Sequence, residues 1–205
     1  DYGIFYEFIP FNGYNEDSSK IIPLSEVKLN TNYAMVITTN AGLWRYKIGD
    51  TIRFTSLSPY RIQVTGRTKH FINVFGEELI IDNAEKALEK VCFETKSNVF
   101  NYTAGPIFME KNKQGAHEWI IEFDREPEDL SLFCRLFDKA LQNENSDYEA
   151  KRYNNMTLKP LRLHKAQKGL FYRWLSQKGK LGGQHKVPRL SNSREILDEL
   201  LKMNY

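Results

Sequence analysis

The residue types best suited to chemistry lie between positions 46 and 78. Tyr46-Lys47-Ile48-Gly49-Asp50 is followed, sixteen residues beyond Asp50, by Gly66-Arg67-Thr68-Lys69, and then by Gly76-Glu77-Glu78-Leu79. An Asp at the end of a strand can accept hydrogen bonds from two sugar hydroxyls. An Arg after a Gly offers a rigid donor fork suited to phosphate or ribose oxygens. Taken singly, Gly49-Asp50 and Gly66-Arg67 are ordinary turn sequences. Together, on successive strands with a helix start after them, they suit the ribose and phosphate of a nucleotide.

These residues need strands to carry them, and the first third of the chain has the period for it. Residues 4–9, 33–39, 43–48, 51–55 and 61–65 read as strands, with turns at Asn12-Gly13 and Asn40-Ala41-Gly42. This is an antiparallel β meander ending at Gly66. Beyond it the period changes. Residues 70–74 form a short strand ahead of a turn at Gly76. Residues 81–91 form a helix with Asp82 as N-cap, Glu85 completing a capping box, and Ala84, Leu88 and Val91 on one face. Residues 99–108 and 117–123 form a hairpin across 111–115. Residues 129–141 are an amphipathic helix, and 146–153 a second short one. A strand over 158–164, a helix over 169–177 and a helix over 193–203 complete the order. The fold class is α+β: a meander closing one domain (1–65), then a smaller α/β sandwich (66–205) with helices on one face. Gly66 and Lys69 stand at the boundary and are candidate hinge residues.

Composition excludes several classes. Of the 205 residues, 41% are hydrophobic and 13% aromatic, ample for packed cores. There is neither an apolar run of bilayer length nor a charged-then-apolar leader. Cys92 and Cys134 fall in apolar helical patterns and read as buried free thiols of a reducing cytoplasm. The four histidines (His70, His117, His164 and His185) are scattered, without zinc spacing. The net charge of +3 conceals an asymmetry: residues 151–189 hold eleven Lys or Arg and no acid, leaving the rest of the chain at −8. Such a block suits an anion.

Tyr46 to Asp50 resembles the Tyr-Arg-x-Gly-Asp motif of the acyl-adenylate-forming superfamily, and Gly66-Arg67-Thr68-Lys69-His70-Phe71-Ile72 resembles its hinge motif. With Tyr6-Glu7-Phe8 and Gln184-His185-Lys186-Val187-Pro188-Arg189, the chain is similar to the Gretchen Hagen auxin-responsive family of acyl acid–amido synthetases, in its hinge segment nearer the bacterial branch than the plant one. The resemblance implies that this is the C-terminal part of an enzyme using ATP and Mg²⁺ to join a small carboxylic acid to an amine through an acyl-AMP. It implies ribose contact for Asp50, positioning of that loop for Tyr46, a ribose or α-phosphate contact for Arg67, and the catalytic ammonium for Lys186, with His185 in place of the family's Tyr. Lys180 is the alternative lysine. Charge gathering on phosphoryl oxygens during adenylation independently calls for such an ammonium. The phosphate-cradling loop and acid pocket of the family are expected ahead of Asp1, so the fragment alone is expected to be inactive. No metal ligand is assigned; Glu7, an acid in an apolar strand, suits either an outward position or an oxygen ligand for Mg²⁺. Trp44 and Trp174 read as core or domain-contact residues.

Two other readings use the same residues. The basic block is interleaved with Tyr153, Phe171, Tyr172 and Trp174, which suits a nucleic-acid-binding module in which bases stack on aromatics. A non-catalytic interaction domain would bind neither nucleotide nor nucleic acid.

Overall fold

The computed structural model describes residues 3–11, 20–68, 71–110, 114–155, 157–181 and 186–205. They fall into two compact units, Asp1–Lys69 and His70–Tyr205.

The first unit is a five-stranded antiparallel sheet. Its strands are β1 (Ile4–Pro10), β2 (Ile22–Pro23), β3 (Asn32–Thr39), β4 (Tyr46–Leu57) and β5 (Tyr60–Arg67), in the order β2-β1-β3-β4-β5. Alternation sends Phe8, Tyr33, Ile52 and Phe54 to one face, where they pack with Ile22 and Val27. The Phe8 and Phe54 rings meet edge to face at 5.2 Å, the arrangement their quadrupoles favour. The expected meander is present in β1, β3, β4 and β5, with two changes: β2, not expected as a strand, is added on the outer edge of β1, and β4 runs unbroken through Gly49-Asp50, where two strands were expected. The irregularity is a bulge. Ala34 pairs with Thr51 and Val36 with Lys47, so residues 48–50 face a single residue of β3. On the other side β5 is bulged as well, between the pairs Thr51–Gly66 and Ile52–Val64. The expected turn at Asn12-Gly13 lies outside the described residues.

The second unit is built on a three-stranded sheet. β8 (Asn98–Ile107) and β9 (Ala116–Arg125) form the expected hairpin, and β10 (Arg162–Lys165) lies parallel along the far side of β9. Ahead of them, β6 (Phe71–Ile72) and β7 (Leu79–Ile80) make a two-stranded ribbon; β7 is too short to show a period in sequence. Among the described residues, five α-helices follow the expected order: α1 (Ile81–Glu94), α2 (Leu130–Glu144), α3 (Ser146–Arg152), α4 (Leu170–Gln177) and α5 (Glu195–Asn204). The strand expected over 158–164 is cut short because Pro160 has no amide to donate.

The expectation of helices on one face is corrected. Trp119, Ile121 and Phe123 of β9 pack in one cluster with Ala84, Leu88 and Val91 of α1 and Phe133, Phe137 and Leu141 of α2. Ile120 points the other way, into a second cluster with Leu170, Phe171 and Trp174 of α4 and Leu197 and Leu200 of α5. The sheet is therefore covered on both sides. Glu118 and Glu122 share that face with Ile120, yet both are buried. Glu118 is met by Arg194 at 2.7 Å and His164 at 2.9 Å. Glu122 accepts the Gly169 amide at 2.6 Å, satisfying a free N–H at the start of α4.

The α1 start is also corrected. Asn83, rather than Asp82 with Glu85, closes it: the Asn83 Oδ1 accepts the Ile80 amide at 3.2 Å. Asp82 pairs with Lys86 one turn on, at 3.0 Å. Asp129, expected as the first residue of the helix, is instead the N-cap of α2 and accepts from the Ser131 and Leu132 amides.

Candidate nucleotide site and the lysine segment

Asp50 and Arg67 are direct cross-strand partners on β4 and β5. The Arg67 Nε donates to Asp50 Oδ1 at 3.1 Å, and the side chains are 63% and 34% exposed. One carboxylate oxygen is thus engaged while the pair still faces solvent. Both residues flank bulges, which bend the strands and re-aim side chains. Gly49 has φ +88°, a conformation that suits glycine. Its carbonyl accepts the Thr68 amide at 2.8 Å, tying the end of the Arg67 segment to the Asp50 loop. Beneath them the Thr65 and Thr51 hydroxyls bond at 3.1 Å. Gly66 lies within β5 opposite Thr51. Lys69, and with it that half of the expected hinge, lies outside the described residues.

Tyr46 opens β4 opposite Ile37 and is half-exposed, on the far side of the bulge from Asp50. The residue before it was missed by sequence reasoning. Arg45 grips Glu7 of β1 through both carboxylate oxygens, Nε to Oε2 at 3.1 Å and a terminal nitrogen to Oε1 at 2.7 Å. Glu7 is buried, so of the two expectations for this acid neither an outward-facing strand residue nor a free oxygen ligand describes it. Its hydrogen bond and charge raise the Arg45 pKa above the usual guanidinium value. Arg45 also has φ +44° and donates its amide to the Thr38 hydroxyl at 3.0 Å. The only signal in the sequence was an acid in an apolar strand.

Lys186 belongs to the second unit and is exposed. The segment after it is firmly held. Val187 is buried in one core cluster and Leu190 in the other. The Ala104 amide donates to the Arg189 carbonyl at 2.9 Å and the Ser191 amide to the Ala104 carbonyl at 3.1 Å, so the segment lies parallel along the free edge of β8. The Thr103 hydroxyl donates to the Pro188 carbonyl at 2.6 Å. His185 lies outside the described residues. Lys180 is also exposed, and its amide donates to the Leu175 carbonyl at 2.9 Å beyond the end of α4.

The basic block does not form a continuous stripe. Arg152, Arg162, Lys165, Lys178 and Arg189 pair with Asp138, Glu118, Glu126, Glu199 and Glu85, all acids from outside the block. Phe171 and Trp174 are buried in the core, which removes two of the four aromatics that the base-stacking reading requires. Trp44, in the first unit, is 82% exposed, unlike Trp174. Among the described residues no group of three or more His, Cys, Asp or Glu is placed to hold a metal ion, and no helix is long and apolar enough to cross a membrane. Cys92 and Cys134 are free and half-buried.

Residues 1–67 match the GH3 family central domain and residues 82–195 the GH3 family C-terminal domain. The chain belongs to the GH3 family. Curated relatives include an indole-3-acetic acid-amido synthetase, GH3.10, of Arabidopsis thaliana, 28% identical across 96% of this chain and 36% of its own length. Another is the jasmonoyl–L-amino acid synthetase JAR6 of Nicotiana attenuata, 26% identical across 90% of this chain and 33% of its own length. A solved GH3.15 acyl acid amido synthetase shares the fold, with a TM-score of 0.71 at 20% identity, covering 98% of this chain and 36% of that one. The chain spans about a third of the length of the relatives it matches.

Proposed function

We propose that this chain is the C-terminal part of an ATP-dependent acyl acid–amido synthetase. The observation that carries the reading is the Asp50–Arg67 pair, an acceptor and a donor fork presented together at bulged strands. Membership of a family whose curated relatives are acid–amido synthetases supports it. In the intact enzyme a carboxylate oxygen attacks the α-phosphorus of ATP, the bond to the bridging oxygen breaks, and pyrophosphate leaves. An amine, which the relatives' names make an amino acid, then attacks the acyl carbonyl and displaces AMP.

Asp50 accepts the ribose hydroxyls, Arg67 bonds a ribose or α-phosphate oxygen, and Tyr46 holds the loop against the nucleotide. Lys186 places its ammonium at the phosphoryl oxygens during adenylation, and Lys180 is its alternative. Rotation at residues 66–69 exchanges the groups facing the nucleotide between the half-reactions. Mg²⁺ would enter with the nucleotide, held by its phosphates and retained waters, and would neutralise phosphate charge. The free thiols Cys92 and Cys134 support a cytoplasmic setting.

The test is ATP–pyrophosphate exchange by the full-length protein across a panel of small carboxylic acids. Acid-dependent exchange supports the reading; its absence with every acid overturns it.

A further inference from the structure

We propose that Glu85 is a positioning residue for adenylation: it clamps Arg189 and thereby fixes the backbone from which Lys186 projects. This rests on the reading of Lys186 given above. Glu85 sits on α1 but takes no part in capping it. Its carboxylate instead accepts from the Tyr102 hydroxyl at 2.9 Å and pairs with Arg189. The Arg189 guanidinium also lies over the Tyr102 ring, 5.2 Å from its centroid. Tyr102 is buried, and that burial holds its phenol in the neutral, donating form. One residue of α1 and one of β8 therefore grip the side chain three positions after Lys186.

The grip serves position more than stability. Val187 and Leu190 already bury the segment, and a half-exposed ion pair contributes little to folding. Apolar burial is non-directional, however, and leaves the local orientation of the backbone to the polar contacts. The added contacts fix register: the Thr103 bond to Pro188, the Ala104 bonds to Arg189 and Ser191, and the two-sided hold on Arg189. A lysine that must meet a phosphoryl oxygen gains from a fixed backbone, because small displacements lower rates steeply.

The experiment uses the full-length protein with Glu85→Ala, Glu85→Gln, Tyr102→Phe and, as reference, Lys186→Ala. Hydrogen exchange is followed at the Ala104 and Ser191 amides, and ATP–pyrophosphate exchange is resolved into kcat and KM. Glu85→Ala is expected to speed exchange at those two amides while β9 is unaffected, and to lower kcat roughly 10- to 100-fold with little change in KM for ATP. Glu85→Gln, which keeps an acceptor for both partners, is expected to retain more activity than Glu85→Ala, and Tyr102→Phe to fall between Glu85→Ala and the parent. Faster amide exchange without loss of kcat overturns the positioning role, and unchanged amide exchange overturns the clamp itself. Full activity in Lys186→Ala overturns the underlying assignment of that lysine, whatever the Glu85 variants do.

Discussion

Arg45 spans β3 to hold both carboxylate oxygens of Glu7, and the strand bearing Asp50 begins at the very next residue. The contact anchors the entrance to the bulged strand. Replacing Glu7 with Gln removes one acceptor charge, and replacing Arg45 with Lys removes the fork, since an ammonium cannot match both oxygens. Either change is expected to raise KM for ATP about tenfold, the scale of one charge-assisted hydrogen bond, and to lower the melting temperature. Unaltered ATP kinetics in both variants would show that the clasp has no bearing on the nucleotide.

Asp50 tests the ribose assignment directly. In Asp50→Asn the charge-assisted bonds to the sugar are lost, and KM for ATP is expected to rise roughly 10- to 100-fold. The sharper measurement is the ratio of kcat/KM for ATP over 2′-deoxy-ATP. The parent enzyme should discriminate and the variant should not; equal discrimination in both would place the ribose elsewhere.

Asp138 is the hub of a buried network in the second unit. Arg152 reaches it at 2.8 Å, the Tyr148 hydroxyl donates to it at 2.7 Å, and the Leu161 amide donates at 3.3 Å. Burial, followed by the charge and hydrogen bond of Asp138, holds the Tyr148 phenol well above its usual pKa. Asp138→Ala removes the carboxylate that the buried Arg152 guanidinium and the Tyr148 hydroxyl both meet, and is expected to destabilise the protein by about 3 kcal/mol in urea unfolding. Tyr148→Phe removes one bond only and should cost about 1 kcal/mol.

Glu118 makes stability depend on pH. Burial pushes its carboxyl up, but the hydrogen bonds and charges of His164 and Arg194 outweigh it and leave the pKa below the usual carboxylate value. A depressed pKa in the folded state means the stabilisation is complete above the unfolded pKa and is lost as pH falls through the folded one. The parent should therefore lose more stability than Glu118→Gln between neutral pH and pH values below the ordinary carboxylate range. Parallel stability curves for the two proteins would remove Glu118 from the account.

Much of this architecture could be read in advance because side-chain period is a local property. The meander over the first unit, the hairpin of β8 and β9, and the amphipathic α2 each follow from alternation or from a 3.6-residue repeat. The corrections arise where one pattern admits two environments. In β9, Glu118 and Glu122 flank Ile120 and mimic a solvent face; they are buried because Arg194, His164 and the start of α4 supply partners from far along the chain. At α1 the spacing of Asp82 and Glu85 satisfied a capping pattern, yet Asn83 holds the Ile80 amide and Glu85 turns to Tyr102 and Arg189.

The sequence by itself determined the kinds of group available: an acid and an arginine on adjacent strands, a distant lysine before Val-Pro-Arg, and enough apolar period to build the sheets that carry them. Only the tertiary structure decided which charges meet. Arg45 with Glu7, Arg189 with Glu85, and Arg194 and His164 with Glu118 join residues 38 to 104 positions apart. Ion pairing leaves no periodic trace in a chain; it depends on which surfaces the packed cores bring within hydrogen-bond distance.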